Sequence, residues 1–88
     1  MMERNIRITR VSEGIEQVCF SVEPLPACSG FCAPANSVSK MVGFHCMPAS
    51  EVAGTAFAVD AFADMRSEMA NKVVHTYQAV LVPTQCVA

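Results

Sequence analysis

The chain has 88 residues, of which 52% are hydrophobic and only 16% charged, with a formal net charge of -2. That length gives one small domain with a thin core, the kind that is commonly stapled by disulfides, a metal or a partner subunit. Six Lys and Arg residues without a basic cluster argue against a nucleic-acid binder, and no apolar run approaches the roughly 18 residues of a membrane span. The low charge fraction points to apolar surface covered by a second copy or by the rest of a larger chain.

The N-terminal residues Met1-Met2-Glu3-Arg4-Asn5-Ile6-Arg7 are charged and lack the apolar core of a signal peptide. Residues 4–11 alternate, with Ile6 and Ile8 on one side and Arg7, Thr9 and Val11 on the other, which predicts a half-buried strand. Ser12-Glu13-Gly14 is a turn signal. Alternation resumes over residues 16–23, so the two strands read as an antiparallel hairpin. Pro24 and Pro26 end the second strand, because proline donates nothing to a ladder. A loop over 27–36 carries Cys28, Gly30, Cys32 and Pro34. The run 37–47 then places Val38, Lys40, Val42, Phe44 and Cys46 on one face. Gly43 within it marks a bulge or a close backbone approach.

Beyond Pro48 the pattern changes period. Ala58, Phe62, Met65, Met69 and Val73 follow helical spacing and predict an amphipathic helix over about 57–73. A last apolar run predicts a strand over about 75–82, ended by Pro83, with Cys86 beyond it. The fold class expected is α+β: a small, mostly antiparallel sheet of about four strands with one amphipathic helix, stapled by disulfides. Residues 1–88 form a single cysteine-rich domain on this reading, with its strand-loop-strand core at 16–48.

Cysteine carries the strongest chemical signal. Cys19, Cys28, Cys32, Cys46 and Cys86 are disulfide candidates, with Cys19 or Cys28 joined to Cys46 and Cys32 or Cys86 in the other bridge. The odd count leaves at least one thiol unpaired. The alternative is a tetrahedral zinc site made of Cys28, Cys32, Cys46 and either Cys86 or His75. His45 and Cys46 are neighbours on a strand and point to opposite faces, so both would hardly bind one ion. The same geometry weakens a thiol nucleophile built from Cys46 with His45 or His75, which needs a base within hydrogen-bond reach. Asp60, Asp64 and Glu68 share a helix face and read as its solvated side. No phosphate-cradling glycine loop or hydrolase motif occurs. No catalytic residue and no cofactor are therefore expected.

The residues Cys19-Phe20-Ser21-Val22-Glu23-Pro24, then Cys28, Gly30-Phe31-Cys32 and Val42-Gly43-Phe44-His45-Cys46-Met47-Pro48 carry a family likeness. This stretch resembles the cysteine-rich C-terminal region of vitellogenins, the large secreted yolk precursors of egg-laying animals. The likeness covers residues 16–48 well and 60–88 loosely, through Asp64-Met65-Arg66, His75-Thr76 and Gln85-Cys86-Val87-Ala88. The family's tail tends to carry a close cysteine pair after the His-Thr position, where this chain has Tyr77-Gln78-Ala79-Val80. The resemblance thus implies that a disulfide of that pair is missing or rearranged here. It also implies a secreted nutrient-reservoir and lipid-carrier parent, in which this piece is a non-catalytic structural or assembly module. The family's lipid cavity lies elsewhere, so no lipid-binding residue is carried over. The partner expected is the remainder of a larger parent chain, or a second copy meeting it through apolar surface. The competing readings are a zinc-stabilised cytoplasmic interaction module and a small thiol enzyme.

Overall fold

A computed structural model describes residues 1–52 and 66–88. The alternating run that begins at Arg7 folds back on itself at Glu13-Gly14, where φ is 51° and 77°. Two consecutive positive φ values are what a two-residue hairpin turn of matching twist requires. They join β2 (Arg7–Ser12) to β3 (Ile15–Ser21), with Ser12 opposite Ile15 and Arg7 opposite Phe20. The long strand β5 (Ala33–Pro48) lies antiparallel to β3, with Cys19 opposite Cys46 and Phe20 opposite His45. On the other side of β5 runs β6 (Thr76–Val87), paired from Phe44–Thr76 to Ala33–Val87. The main sheet therefore has the order β2-β3-β5-β6.

A second sheet pairs β1 (Met2–Arg4) with β4 (Leu25–Ala27). Two single-turn helices complete the described residues, α1 (Ala49–Val52) and α2 (Arg66–Met69).

Side chains of one strand point alternately to the two faces of the sheet, and here both faces of the centre are covered. One face buries Cys19, Val42, Phe44 and Cys46 with Leu25 of the small sheet, against Ile6, Ile8 and Val80. The other buries Val18 and Phe20 with Val52 of α1 and Met69 of α2, against Met47 and Ala49. Each such buried aliphatic or aromatic side chain contributes about 1.5–3 kcal/mol relative to an exposed one.

This architecture corrects the expected α+β fold. Among the described residues, six strands in two antiparallel sheets and two short helices stand in place of a four-stranded sheet with one amphipathic helix. Of the helix expected over 57–73, residues 57–65 lie outside the described residues. The rest is helical only to Met69, and Val73 is 67% exposed. The backbone N–H of Lys72 donates to the Met69 carbonyl at 3.1 Å, which closes the turn. The chain is then captured by β5, where the N–H of His75 donates to the Phe44 carbonyl at 2.7 Å. A sheet edge outcompetes the weak helix preference of Val73-Val74.

Proline also stops less than its chemistry suggests. Pro26 sits inside β4, opposite Glu3, because each strand of a two-stranded sheet has an open edge that asks for no N–H. Pro34 and Pro83 lie within β5 and β6, beside register shifts between Pro34 and Ser37. Bulges and edge positions are where a ladder tolerates a missing donor. Hence β5 begins at Ala33 rather than at 37, and β6 continues to Val87 rather than ending at 82.

Candidate functional site

Sulfur organises the centre of this sheet. Cys19 and Cys46 face each other across β3 and β5 with their Cα atoms 4.0 Å apart, and a disulfide joins them. The N–H of Cys46 points away from β3 and donates to His75 instead, so Cys19–Cys46 is a non-hydrogen-bonded pair, the closer of the two antiparallel spacings. Both residues are buried, and the bridge lies inside the cluster with Phe44 and Val42.

A second disulfide joins Cys28 to Cys86, with Cα atoms 5.7 Å apart. It ties the loop after β4 to the far end of β6. Cys32 is the free thiol and is half-buried. The five sulfurs are thus split into an internal staple, a peripheral staple and one spare.

Cys28 and Cys32 line the same cavity, of about 330 Å³, between the small sheet and the paired ends of β5 and β6. Arg4, Pro34 and Leu81 contribute to its wall. A turn closed by the Cys32 N–H on the Ser29 carbonyl at 3.0 Å brings the loop back to it.

Two histidines fasten the start of β6. Nδ1 of His75 accepts the Cys46 N–H at 2.9 Å, and Nδ1 of His45 lies 2.8 Å from the Val73 carbonyl. A carbonyl only accepts, so Nδ1 of His45 carries a proton while Nδ1 of His75 does not. The two rings lie 4.7 Å apart, centroid to centroid, tilted by 35°.

A third anchor is polar and internal. Ser21 is fully buried; its Oγ accepts the Ile6 N–H and donates to the Glu23 carbonyl, both at 2.8 Å. Asn5 Nδ2 donates to the Ser21 carbonyl at 2.6 Å. This node fixes the junction between β1 and β2. Its only trace in the sequence is a small polar residue in an otherwise apolar alternation. Oδ1 of Asn5 is buried without a hydrogen-bond partner among the described residues.

Cys28, Cys46 and Cys86 are held in disulfides, so they are unavailable to a zinc site with Cys32 or His75. No group of three or more His, Cys, Asp or Glu stands ready for a metal among the described residues. Cys46, the candidate nucleophile, has no thiol to ionise. Asp60 and Asp64 lie outside the described residues, while Glu68 is exposed on α2. No helix among the described residues is long and apolar enough to cross a membrane.

Comparison with known proteins gives one consistent result. The chain is 29% identical over 83 residues to vitellogenin-5 of Caenorhabditis elegans. The match takes in 94% of this chain and 5% of that protein. It is 36% identical over 50 residues to vitellogenin-1 of Gallus gallus, covering 54% of this chain and 3% of the relative. Against a vitellogenin of Takifugu pardalis it is 50% identical over 36 residues, 41% of this chain and 16% of the relative.

The chain is similar to a part of vitellogenins.

The chain spans about 5% of the length of the nematode vitellogenins it matches. No protein-family model matches it, and no solved structure does. The vitellogenin likeness therefore rests on sequence, and the disulfide-framed β architecture is a property of this chain.

Proposed function

We propose that this chain is a non-catalytic structural module of a secreted, vitellogenin-type yolk precursor, corresponding to the cysteine-rich segment near that family's C-terminus. The observation that carries the reading is the agreement of sequence and frame. Cys19, Cys28, Cys32 and Cys46 carry the likeness, and three of them are taken up in the two disulfides. Disulfides form and persist in secreted proteins and are rare in the reducing cytosol. A module of this kind works by holding its shape outside the cell. Its partner is the remainder of the parent chain, and its exposed apolar residues on β5 and β6, Met41, Tyr77 and Leu81 among them, supply surface for that contact. Lipid carriage and nutrient storage belong, on this reading, to the parent as a whole.

The test uses an antibody against the folded chain on fractionated tissue of the source organism, with thiols blocked at lysis. The reading expects the protein in the secretory and extracellular fractions, disulfide-bonded. Detection in the cytosol with reduced cysteines would overturn it.

A further inference from the structure

Three cysteines meet at one end of this fold, and the described frame uses only two of them. Cys28 is bonded to Cys86, and Cys32 lines the same cavity as Cys28. The hydrogen bond from Cys32 N–H to the Ser29 carbonyl folds the intervening residues into a tight turn, returning Cys32 towards Cys28. Cys86 lies opposite Pro34 in the β5–β6 register, one pair along from Ala33, which follows Cys32 in the chain. A half-buried thiol thus lines the same open cavity as one residue of a disulfide, where solvent can carry protons to and from sulfur.

We propose that this corner is an internal thiol-disulfide exchange centre, in which Cys32 and Cys86 compete for Cys28. The Cys32 thiolate attacks Sγ of Cys28. The Cys28–Cys86 sulfur–sulfur bond breaks as the Cys28–Cys32 bond forms, and Cys86 leaves as a thiolate that takes up the proton Cys32 released. One disulfide and one thiol are present before and after, so no external oxidant or reductant enters the step. The two states differ in reach. With Cys28 bonded to Cys86, the end of β6 is pinned to the loop. With Cys28 bonded to Cys32, the bridge closes within the loop, and a free thiol appears two residues from Ala88 on an edge strand. Its thiolate can attack a disulfide on a neighbouring protein surface, forming a mixed disulfide as the attacked bond breaks and its other sulfur leaves as a thiolate. The Cys19–Cys46 staple lies in the buried cluster and takes no part.

The test is a labelling map of the folded, oxidised chain without reductant. The protein is held in mildly alkaline buffer, where thiols ionise, and blocked with N-ethylmaleimide at early and late times. Chymotryptic cleavage after Phe31, which is 96% exposed, separates Cys28 from Cys32. Exchange requires label on both Cys32 and Cys86, together with a linked Cys28–Cys32 peptide pair. In Cys32→Ser, with its circular dichroism unchanged, label at Cys86 must disappear. Label confined to Cys32 at every time, with Cys28–Cys86 the sole bridge at this corner, would overturn the proposal. So would label at Cys86 that survives in Cys32→Ser, and label at Cys28 would contradict the choice of attacked sulfur. The map reads chemistry within the folded chain, so it fails or succeeds independently of where the protein resides.

Discussion

The backbone N–H of Cys46 donates to Nδ1 of His75 across 2.9 Å, so a side chain continues the β5–β6 ladder where the backbone of β6 has not yet begun. Two residues before Cys46, the Phe44 carbonyl accepts the N–H of His75 itself. His75 therefore grips β5 twice, by its ring at Cys46, which belongs to the disulfide that closes β5 on β3, and by its backbone at Phe44. His75→Ala removes an acceptor from a partly buried donor, and the expected cost is about 1–3 kcal/mol. His75→Asn, which can present an oxygen near the Nδ1 position, is expected to recover part of it. Chemical denaturation gives the totals, and hydrogen exchange at the Cys46 amide shows whether the loss is local. Equal destabilisation by both variants, with Cys46 exchange unchanged, would contradict this role.

Gly43 is buried under the turn into β6. A Cβ built there meets the two γ carbons of Val74 at 3.0 Å and the Tyr77 ring at 3.3 Å. Overpacking of this kind costs about 1–3 kcal/mol. Gly43→Ala is expected to lose stability in that range, and Val74→Ala in the same chain is expected to return part of it. A double-mutant cycle measures the coupling between the two sites. Strict additivity would mean that Val74 is not what Gly43 makes room for.

Ser21 satisfies one donor and one acceptor in the interior. Ser21→Ala leaves the Ile6 N–H without its partner, and the expected loss is about 1–3 kcal/mol by thermal or denaturant unfolding. The amide of Ile6 should lose exchange protection first. A neutral outcome would show that water replaces the hydroxyl at no cost.

The two disulfides are expected to fail differently. Replacing Cys19 and Cys46 together by serine removes a buried bridge of sequence separation 27 and places hydroxyls beside Phe44 and Val42. A loss of about 2–5 kcal/mol, enough to unfold so small a chain, is expected. Replacing Cys28 and Cys86 should leave β2, β3 and the 42–48 half of β5 protected and fray the 33–37 half with the end of β6. Hydrogen exchange on both variants separates the two patterns.

Much of the sheet was legible because its side chains alternate. The hairpin around Glu13-Gly14 follows from two alternating runs and a turn signal, and Val42, Phe44 and Cys46 share the face their spacing assigns them. The helical period runs on to Val73 in the sequence, but the described helix ends at Met69, because His75 and Val73 find hydrogen bonds on β5 that a helix does not offer them. Pro26, Pro34 and Pro83 read as strand breaks, and proline does break central ladders. Edges and bulges spare these three, and neither is visible before the partner strand is known. Disulfide pairing is hidden for a similar reason. Cys19 meets Cys46 through strand register, and Cys28 meets Cys86 across 58 residues, so no local spacing encodes either contact. The vitellogenin likeness was readable because cysteine positions around the Val42-Gly43-Phe44-His45-Cys46 run are distinctive even where overall identity is low.

Two disulfides hold this fold together. Intact mass of the protein isolated from its source, with thiols blocked at lysis and with and without later reduction, tests it most directly. Two disulfides predict a mass four hydrogens below the fully reduced chain, one blocked thiol and no metal. Five blocked thiols, or a bound zinc ion lost to chelator, would contradict it.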